Sequence, residues 1–169
     1  MSGPALCQEV NHPSEKQFTF ERTRDFGLIK SIATHPRVYP AISDDYSPAP
    51  EDWKPFIEEA VQYILAKYDD ELLGMWVLIP ENRVNWKVHT CLLPAGYGSR
   101  GAEAARVGIE WVFANSPCLR ISTEVPEYNQ LALRFSMNAG MKIFGFNPGS
   151  YMKNGILQGQ ILLGVSKKV

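Results

Sequence analysis

Alternation of apolar and polar residues predicts several strands along the first half of the chain. Residues 18–23 alternate with a period of two, which is typical of a strand with one face buried. Three more apolar runs follow at residues 61–68, 72–79 and 84–93. The connections between them are short, and the first is the acidic pair Asp69-Asp70, so the three runs predict an antiparallel meander.

Helical periodicity and further strands complete the pattern. Apolar residues recur on one face after Asp25, a residue type that caps helices, and His35-Pro36 ends that helix. Residues 39–55, rich in Pro, Ser and Asp, predict a loop with a short helix near residue 51. Beyond the meander, the pattern predicts helices over 102–115 and 127–139, a strand at 119–125, a left-handed cap at Gly140, and final strands at 142–146 and 158–165.

This order of elements predicts an α/β (α+β) protein with a mixed, mostly antiparallel central sheet flanked by helices. The chain of 169 residues fits a single domain, which we expect over residues 18–169 after an irregular N-terminal arm at 1–17. Hydrophobic residues make up 45% of the chain and charged residues 21%, which is close to average globular usage and argues against disorder.

Net charge and the cysteine and histidine residues limit the partners, the compartment and the metal sites that we expect. The net charge of −1 gives no overall attraction to nucleic acid or anionic membranes, and no apolar run approaches the roughly 20 residues of a spanning helix, so neither partner is expected. Cys7, Cys91 and Cys118 are an odd number without metal-ligand spacing, which predicts reduced thiols and a cytoplasmic protein. His12 and His35 also lack ligand partners, so no metal is expected.

A glycine-rich segment before the second predicted helix carries the first chemical signal. Gly96-Tyr-Gly-Ser-Arg-Gly101 matches G-x-G-x-x-G, and Glu124 ends the next strand, as a nicotinamide-dinucleotide site requires. Against that hypothesis, the segment follows a meander, and the chain after Gly101 is too short for a second dinucleotide-binding half. A pyrophosphate site at the helix N-terminus fits more generally, and a simple surface turn is the remaining alternative.

A second motif resembles that of the GNAT superfamily of acyl-CoA N-acyltransferases. Asn129, Ala132, Gly140 and Met141 have the spacing of the family pattern N-x-x-A-x-x-x-Y-x-K-x-G-F. Leu92-Leu93-Pro94 is similar to the hydrophobic-x-Pro that precedes the family's pyrophosphate loop. The order of elements over residues 18–165 is also similar, and the departures below resemble degenerate bacteriophage members.

The resemblance implies a site for acetyl-CoA. The backbone N–H groups of residues 98–102 would bind the pyrophosphate, and the end of a strand splayed from its neighbour would pair with the pantetheine arm. Asn129 would contact the cofactor or its arm. The residues implied in these roles are Gly98, Ser99, Arg100, Gly101 and Ala102 for the pyrophosphate, and Cys91, Leu92 and Leu93 for the arm.

The candidate catalytic residues depart from the family pattern. Ser136 occupies the position where the family carries a tyrosine that protonates the leaving thiolate, and Asn138 replaces a common lysine. In the loop, Gly96 and Ser99 stand where the family has Gln or Arg and a middle Gly. For the general base there are two candidates, Glu124 at the end of a strand and His89 on the third strand of the meander.

These features predict an N-acetyltransferase that moves an acetyl group from acetyl-CoA to a small-molecule or peptide amine by direct attack. The alternative is a catalytically weak GNAT-like binding or assembly protein, such as a phage head-assembly protein. Loops at 39–55 and 148–155 are expected to select the acceptor, and the terminal strand pair offers an edge for a homodimer.

Overall fold

The computed structural model describes residues 17–168, and within them seven strands form a single sheet. Most of the expected N-terminal arm, including Cys7 and His12, lies outside the described residues. The sheet order is β1-β2-β3-β4-β5-β7-β6. The strands are β1 Phe18–Thr23, β2 Gln62–Tyr68, β3 Glu71–Pro80, β4 Asn85–Leu92, β5 Arg120–Pro126, β6 Lys142–Lys153 and β7 Ile156–Ser166.

Neighbouring strands are antiparallel at every pairing described except that of β4 with β5, which is parallel. A parallel pair needs a crossover connection, and here helix α3, Ser99–Asn115, supplies it. The mixed, mostly antiparallel sheet predicted from the sequence is therefore confirmed.

Helices cover both faces of the sheet. On one face, α3 buries Ala105, Ile109 and Val112 against strand residues such as Trp76 and Val88. Helix α4 (Gln130–Asn138) packs Leu133 and Phe135 against the same core. On the other face, α1 (Phe26–Ala33) buries its apolar side against the meander, and the start of α2 (Tyr39–Ile42) joins it. That second core includes Ile29, Ile32, Val38, Tyr63, Met75, Val77 and Cys91.

Local signals in the sequence set several boundaries. The Asp25 carboxylate accepts a hydrogen bond from the Leu28 N–H at 3.0 Å and begins α1, as predicted. Asp69 and Asp70 have φ values of 48° and 66°, which gives a two-residue turn suited to the β2–β3 hairpin. Gly140, with φ 97°, follows α4 where a left-handed residue was predicted.

The bounds of several elements differ from the predictions. Helix α4 begins at Gln130 rather than at residue 127, because the Asn129 side chain caps it. Helix α3 begins at Ser99 rather than at residue 102, because the chain turns at Gly98 with φ 82°. Residues 39–42, predicted as loop, form α2, and the short helix expected near residue 51 is a 3₁₀ turn at Pro50–Asp52. Strand β6 runs to Lys153 through the predicted loop, because β7 pairs with both sides of an irregularity between Asn147 and Tyr151.

Candidate functional site

Strands β4 and β5 pair only at their beginnings and then separate. The parallel pairing joins Asn85–Lys87 to Arg120–Ser122, after which β4 continues to Leu92 and β5 to Pro126. The Thr123 hydroxyl donates a hydrogen bond to the Val88 carbonyl at 3.1 Å, just beyond the last pair. The sheet therefore contains a wedge-shaped gap that opens toward the carboxyl ends of both strands.

The edge of β4 offers backbone hydrogen-bonding groups to this gap. The Val88 carbonyl faces it, and because backbone groups alternate along a strand, the N–H and C=O of Thr90 and Leu92 face it too. Cys91 turns its backbone toward Met75 of β3 instead, and the Leu93 N–H donates to the Leu73 carbonyl at 2.9 Å. Of the three residues implied for the pantetheine arm, Leu92 is the one whose backbone lies on the open edge.

The first turn of α3 lies directly beyond the end of β4. Its leading N–H groups have no intrahelical partner and carry partial positive charge, and no side chain caps them. Gly98 has φ 82°, and the space where its Cβ would stand is open for 4 Å. Such a cradle fits a pyrophosphate, which is the anion that the glycine-rich segment predicts.

Two residues of this segment serve the protein's own structure. A Cβ on Gly101 would stand 1.9 Å from the Gly96 carbonyl oxygen, so Gly101 is required for the loop to pass under the helix. The Arg100 guanidinium forms an ion pair with Glu71 at 3.2 Å and lies 4.7 Å from the Tyr68 ring centroid. Arg100 is therefore directed to the β2–β3 hairpin, while its backbone N–H remains in the first turn of the helix.

A cavity of about 40 Å³ lies beneath the gap on the α3 and α4 side. Ser136 of α4 is buried and lines it, together with Thr90 of β4 and Thr123 of β5. Most of the remaining wall is apolar, from Trp76, Leu78, Val88, Ile109, Val112, Ile121, Phe135 and Met141. The structure thus places Ser136 in the lining of this cavity, and its role toward the sulfur stays a prediction.

The opposite face of the gap carries charged side chains. Because Val88, Thr90 and Thr123 line the cavity, the alternate residues Lys87, His89 and Glu124 lie on the α1 side of the sheet. The Lys87 Nζ lies 2.8 Å from Oε1 of Glu124 and 3.4 Å from Oε1 of Glu81. The hydrogen bond to Glu124 is the main reason that the pKa of Lys87 is raised.

His89 lies close enough to this ion pair for the charges of both Lys87 and Glu124 to shift its pKa. Although the residue is exposed, the protein atoms around its side chain partly desolvate the imidazole and lower its pKa. The Lys87 ammonium lowers it further, while the Glu124 carboxylate partly offsets the effect. A lowered pKa keeps the imidazole neutral near pH 7, as a general base must be.

Hydrogen bonds join the α2 segment to the tip of the β6–β7 hairpin. The Tyr151 hydroxyl donates to the Ser43 carbonyl at 2.9 Å, and Lys153 donates to the same carbonyl at 2.6 Å. The Asp45 carboxylate accepts from the backbone N–H groups of Asn154 and Gly155 at 2.8 and 2.7 Å. The two segments that are expected to select the acceptor, residues 39–55 and 148–155, are therefore in direct contact with each other.

Tyr151 of the β6–β7 hairpin also lies near Tyr128, two residues after the end of β5. The rings of Tyr128 and Tyr151 lie 6.3 Å apart, centroid to centroid. Burial is the largest cause of a raised pKa in both phenols. Both hydroxyls therefore remain protonated at neutral pH, and that of Tyr151 is the one that donates to the Ser43 carbonyl.

Two other predicted residues have internal contacts. The Asn129 side chain accepts a hydrogen bond from the Ala132 N–H at 3.1 Å and caps α4, so its oxygen is engaged within the helix start. The Cys91 thiol is buried in the α1 core, and burial raises its pKa to about 12. A thiol in that state is a poor nucleophile.

Three contributors to the site were not predicted, namely Lys87, Thr90 and Thr123. A signal for Lys87 was present, since it precedes His89 by two positions on a predicted strand and so shares its face. The roles of Thr90 and Thr123 depend on where β4 and β5 separate, which no local pattern reveals.

The described residues contain no cluster of three or more His, Cys, Asp or Glu side chains arranged for a metal ion. None of the helices between residues 17 and 168 has the length and apolar character needed to cross a membrane.

Solved structures match this fold, whereas no family model and no curated protein matches the sequence. A spermidine N-acetyltransferase from Vibrio cholerae, in complex with CoA and spermine, superposes with a TM-score of 0.71 at 15% identity, covering 89% of this chain and 96% of that one. A ribosomal-protein-S5-alanine acetyltransferase from Vibrio fischeri gives 0.69 at 17% identity, covering 93% and 96%. The chain therefore has the fold of the GNAT acetyltransferases.

Proposed function

We propose that this protein is an N-acetyltransferase that transfers an acetyl group from acetyl-CoA to an amine. The observation that carries the proposal is the gap between β4 and β5, which opens beside the N-terminal turn of α3. A strand-like arm fits the free β4 edge, and a pyrophosphate fits the cradle at Gly98. The fold shared with N-acetyltransferases supports the same assignment.

We assign the steps of the reaction to residues on the two faces of the gap. When bound, acetyl-CoA supplies a thioester whose acetyl group passes to the amine nitrogen as the carbon–sulfur bond breaks. The Thr90 N–H, on the open edge of β4, is the donor we assign to the thioester carbonyl oxygen. On the α1 face, His89 and Glu124 are the candidate bases, and on the other face Ser136 hydrogen-bonds the departing sulfur.

The charge around the candidate bases favours a cationic acceptor. One ammonium, from Lys87, stands between two carboxylates, from Glu81 and Glu124, which leaves an excess negative charge on this face. A small primary amine, protonated in water, is the acceptor class that we propose, and a peptide amine is the alternative. The neighbour bound to spermine supports the former.

Two further proposals concern the state of the protein. The edge strand β6 exposes Ile143, Phe144 and Phe146, and we propose that it forms a homodimer interface with a second copy.

Cys91 and Cys118 are free thiols, which is consistent with the reducing conditions of the cytoplasm, where we propose that the protein acts.

Thermal unfolding with and without ligands tests the cofactor. A ligand at 100 times its Kd stabilises the folded state by about 2.7 kcal/mol. We expect acetyl-CoA and CoA to raise the Tm and NADH to leave it unchanged. A rise with NADH alone would favour the dinucleotide hypothesis, although the sheet provides only one parallel βαβ unit for it within residues 17–168.

Release of CoA thiol in the presence of small amines and of peptides then tests the reaction. Turnover with a small amine is the expected result. Binding of CoA without turnover on either acceptor class would instead indicate a binding or assembly protein, of the kind that the bacteriophage resemblance suggests.

A further inference from the structure

We infer that Lys87 is a positioning residue that selects His89 as the general base by occupying the carboxylate of Glu124. The inference rests on the proposed acetyl transfer and concerns which of its two candidate bases accepts the proton. It follows from the placement of three side chains at the closed end of the gap.

Lys87 stands at the last position where β4 and β5 pair, opposite Ser122. Its side chain is 26% exposed, and its Nζ contacts Oε1 of Glu124 at 2.8 Å and Oε1 of Glu81 at 3.4 Å. The ammonium thus bridges the turn before β4 to the middle of β5. This bridge fixes the Glu124 carboxylate beside the point where the strands separate.

The contact makes Glu124 the weaker candidate. An acceptor ammonium that delivers its proton to Oε1 must first displace the Lys87 ammonium, which holds that oxygen at 2.8 Å in a partly shielded ion pair. Among the described residues, by contrast, no group forms a hydrogen bond to the His89 imidazole. Its ring nitrogens are therefore available to an incoming amine.

The charges that face His89 keep it in the basic form. Lys87 approaches from its own strand and Glu124 from β5, while its register partner on β3, Val77, carries no charge. Water exclusion and Lys87 together outweigh Glu124 and lower the imidazole pKa. In the proposed step, neutral His89 takes one proton from the acceptor ammonium, which yields the free amine and an imidazolium that later returns the proton to solvent. The second proton, which the nitrogen loses as the amide forms, would go to the thiolate released when the carbon–sulfur bond breaks.

Titration by NMR tests the arrangement without turnover. The imidazole signal of His89, identified by its loss in His89→Asn, is followed against pH in the wild type and in Lys87→Met. We expect its pKa to rise by about one unit in Lys87→Met, because the ammonium is lost while Glu124 remains. Lys87→Arg retains the charge and should restore the wild-type value.

A matched control removes a similar lysine elsewhere. Lys67 of β2 pairs with Glu21 at 3.1 Å and is 27% exposed, so Lys67→Met deletes an equivalent ion pair away from the gap. The His89 pKa should not move in this variant. A shift equal to that of Lys87→Met would overturn the inference.

The pH dependence of kcat/KM links the titration to catalysis. We expect its acidic limb to coincide with the His89 pKa, to follow it upward in Lys87→Met, and to vanish in His89→Asn. A limb that persists in His89→Asn but is lost in Glu124→Gln would assign the base to Glu124 and refute the inference. Absence of acetyl transfer from every amine would refute the proposed function and His89's catalytic role together, whereas a normal rate without the predicted NMR shift would refute the role of Lys87 alone.

Discussion

The backbone of Gly101 rests directly on the carbonyl oxygen of Gly96, so that a Cβ on Gly101 would lie 1.9 Å from that oxygen. The last glycine of the G-x-G-x-x-G segment is therefore a packing requirement of the loop. Gly98 has open space where its Cβ would stand, and it is the position where we propose that a pyrophosphate binds. In this proposal one glycine of the motif serves packing and the other serves binding.

Gly101→Ala should lower the free energy of unfolding by about 1–3 kcal/mol, because the added methyl group forces the loop away from the helix. Urea denaturation measures this loss. Gly27→Ala, on an exposed position of α1 where the new Cβ meets only Asp25 at 3.4 Å, is the control and should be neutral or stabilising. Equal stability of both variants would contradict the close contact.

Ser99→Glu should weaken CoA binding at least about tenfold without lowering the Tm. Ser99 is exposed at the first position of α3, where a carboxylate stabilises the helix by roughly 0.3–1 kcal/mol but repels a pyrophosphate. Calorimetric titration with CoA measures the affinity. Ser99→Gln, similar in size and uncharged, should bind much more tightly than the glutamate variant, and equal affinities would remove the pyrophosphate from this turn.

Ser136→Ala should reduce kcat about tenfold or more while changing the Kd for CoA little. Ser136 is buried and lines the cavity under the gap. We propose that its hydroxyl stabilises the departing sulfur in the transition state more than in the bound ground state. Steady-state kinetics and calorimetry separate the two quantities. If kcat is unchanged, another group protonates the sulfur, and Tyr128→Phe becomes the next variant to measure.

The Cys91 thiol should resist alkylation in the folded protein at pH 8. Burial raises its pKa to about 12, so the thiol is protonated at that pH and shielded from the reagent. Mass spectrometry after iodoacetamide treatment, with and without urea, locates the modified residues. Because the folded-state pKa lies above the ordinary value of 9.0, this group favours folding fully below pH 9 and progressively less as pH rises toward 12. Rapid labelling in the native state would refute the burial of Cys91.

Ile143→Lys should convert the proposed dimer into a monomer without loss of stability. Ile143 is 54% exposed on the edge strand, so the charge costs nothing in the monomer and disfavours an apolar interface. Light scattering coupled to gel filtration gives the mass. A wild-type monomer at all concentrations tested, or an Ile143→Lys dimer, would exclude this edge.

Most of the fold could be predicted because short-range sequence patterns determine where many of its strands and helices lie. The apolar alternation of β1 and the Asp25 cap of α1 are short-range features, and both were confirmed. The length of β6 was underestimated because Pro148 and Gly149 resemble loop residues, whereas pairing with β7 maintains the strand around them.

The candidate site could be predicted only in part. The glycine-rich segment and the α4 motif singled out Gly98 and Ser136 from their spacing along the chain, and the structure places Gly98 at the start of α3 and Ser136 in the lining of the cavity. The contacts of Lys87 with Glu124, and of Asp45 with Gly155, join residues far apart in sequence. They depend on strand order and loop closure, which a single sequence does not specify locally.

The anchoring of the α2 segment to the β6–β7 hairpin has a consequence for how specificity can change. Ser43 and Asp45 are tied to Tyr151, Lys153 and the Asn154-Gly155 turn by bonds of 2.6–2.9 Å. A substitution in either segment therefore alters the support of the other. We expect variants with new acceptor preferences to acquire compensating changes in both segments, so that the two co-evolve as a single unit despite their distance along the chain.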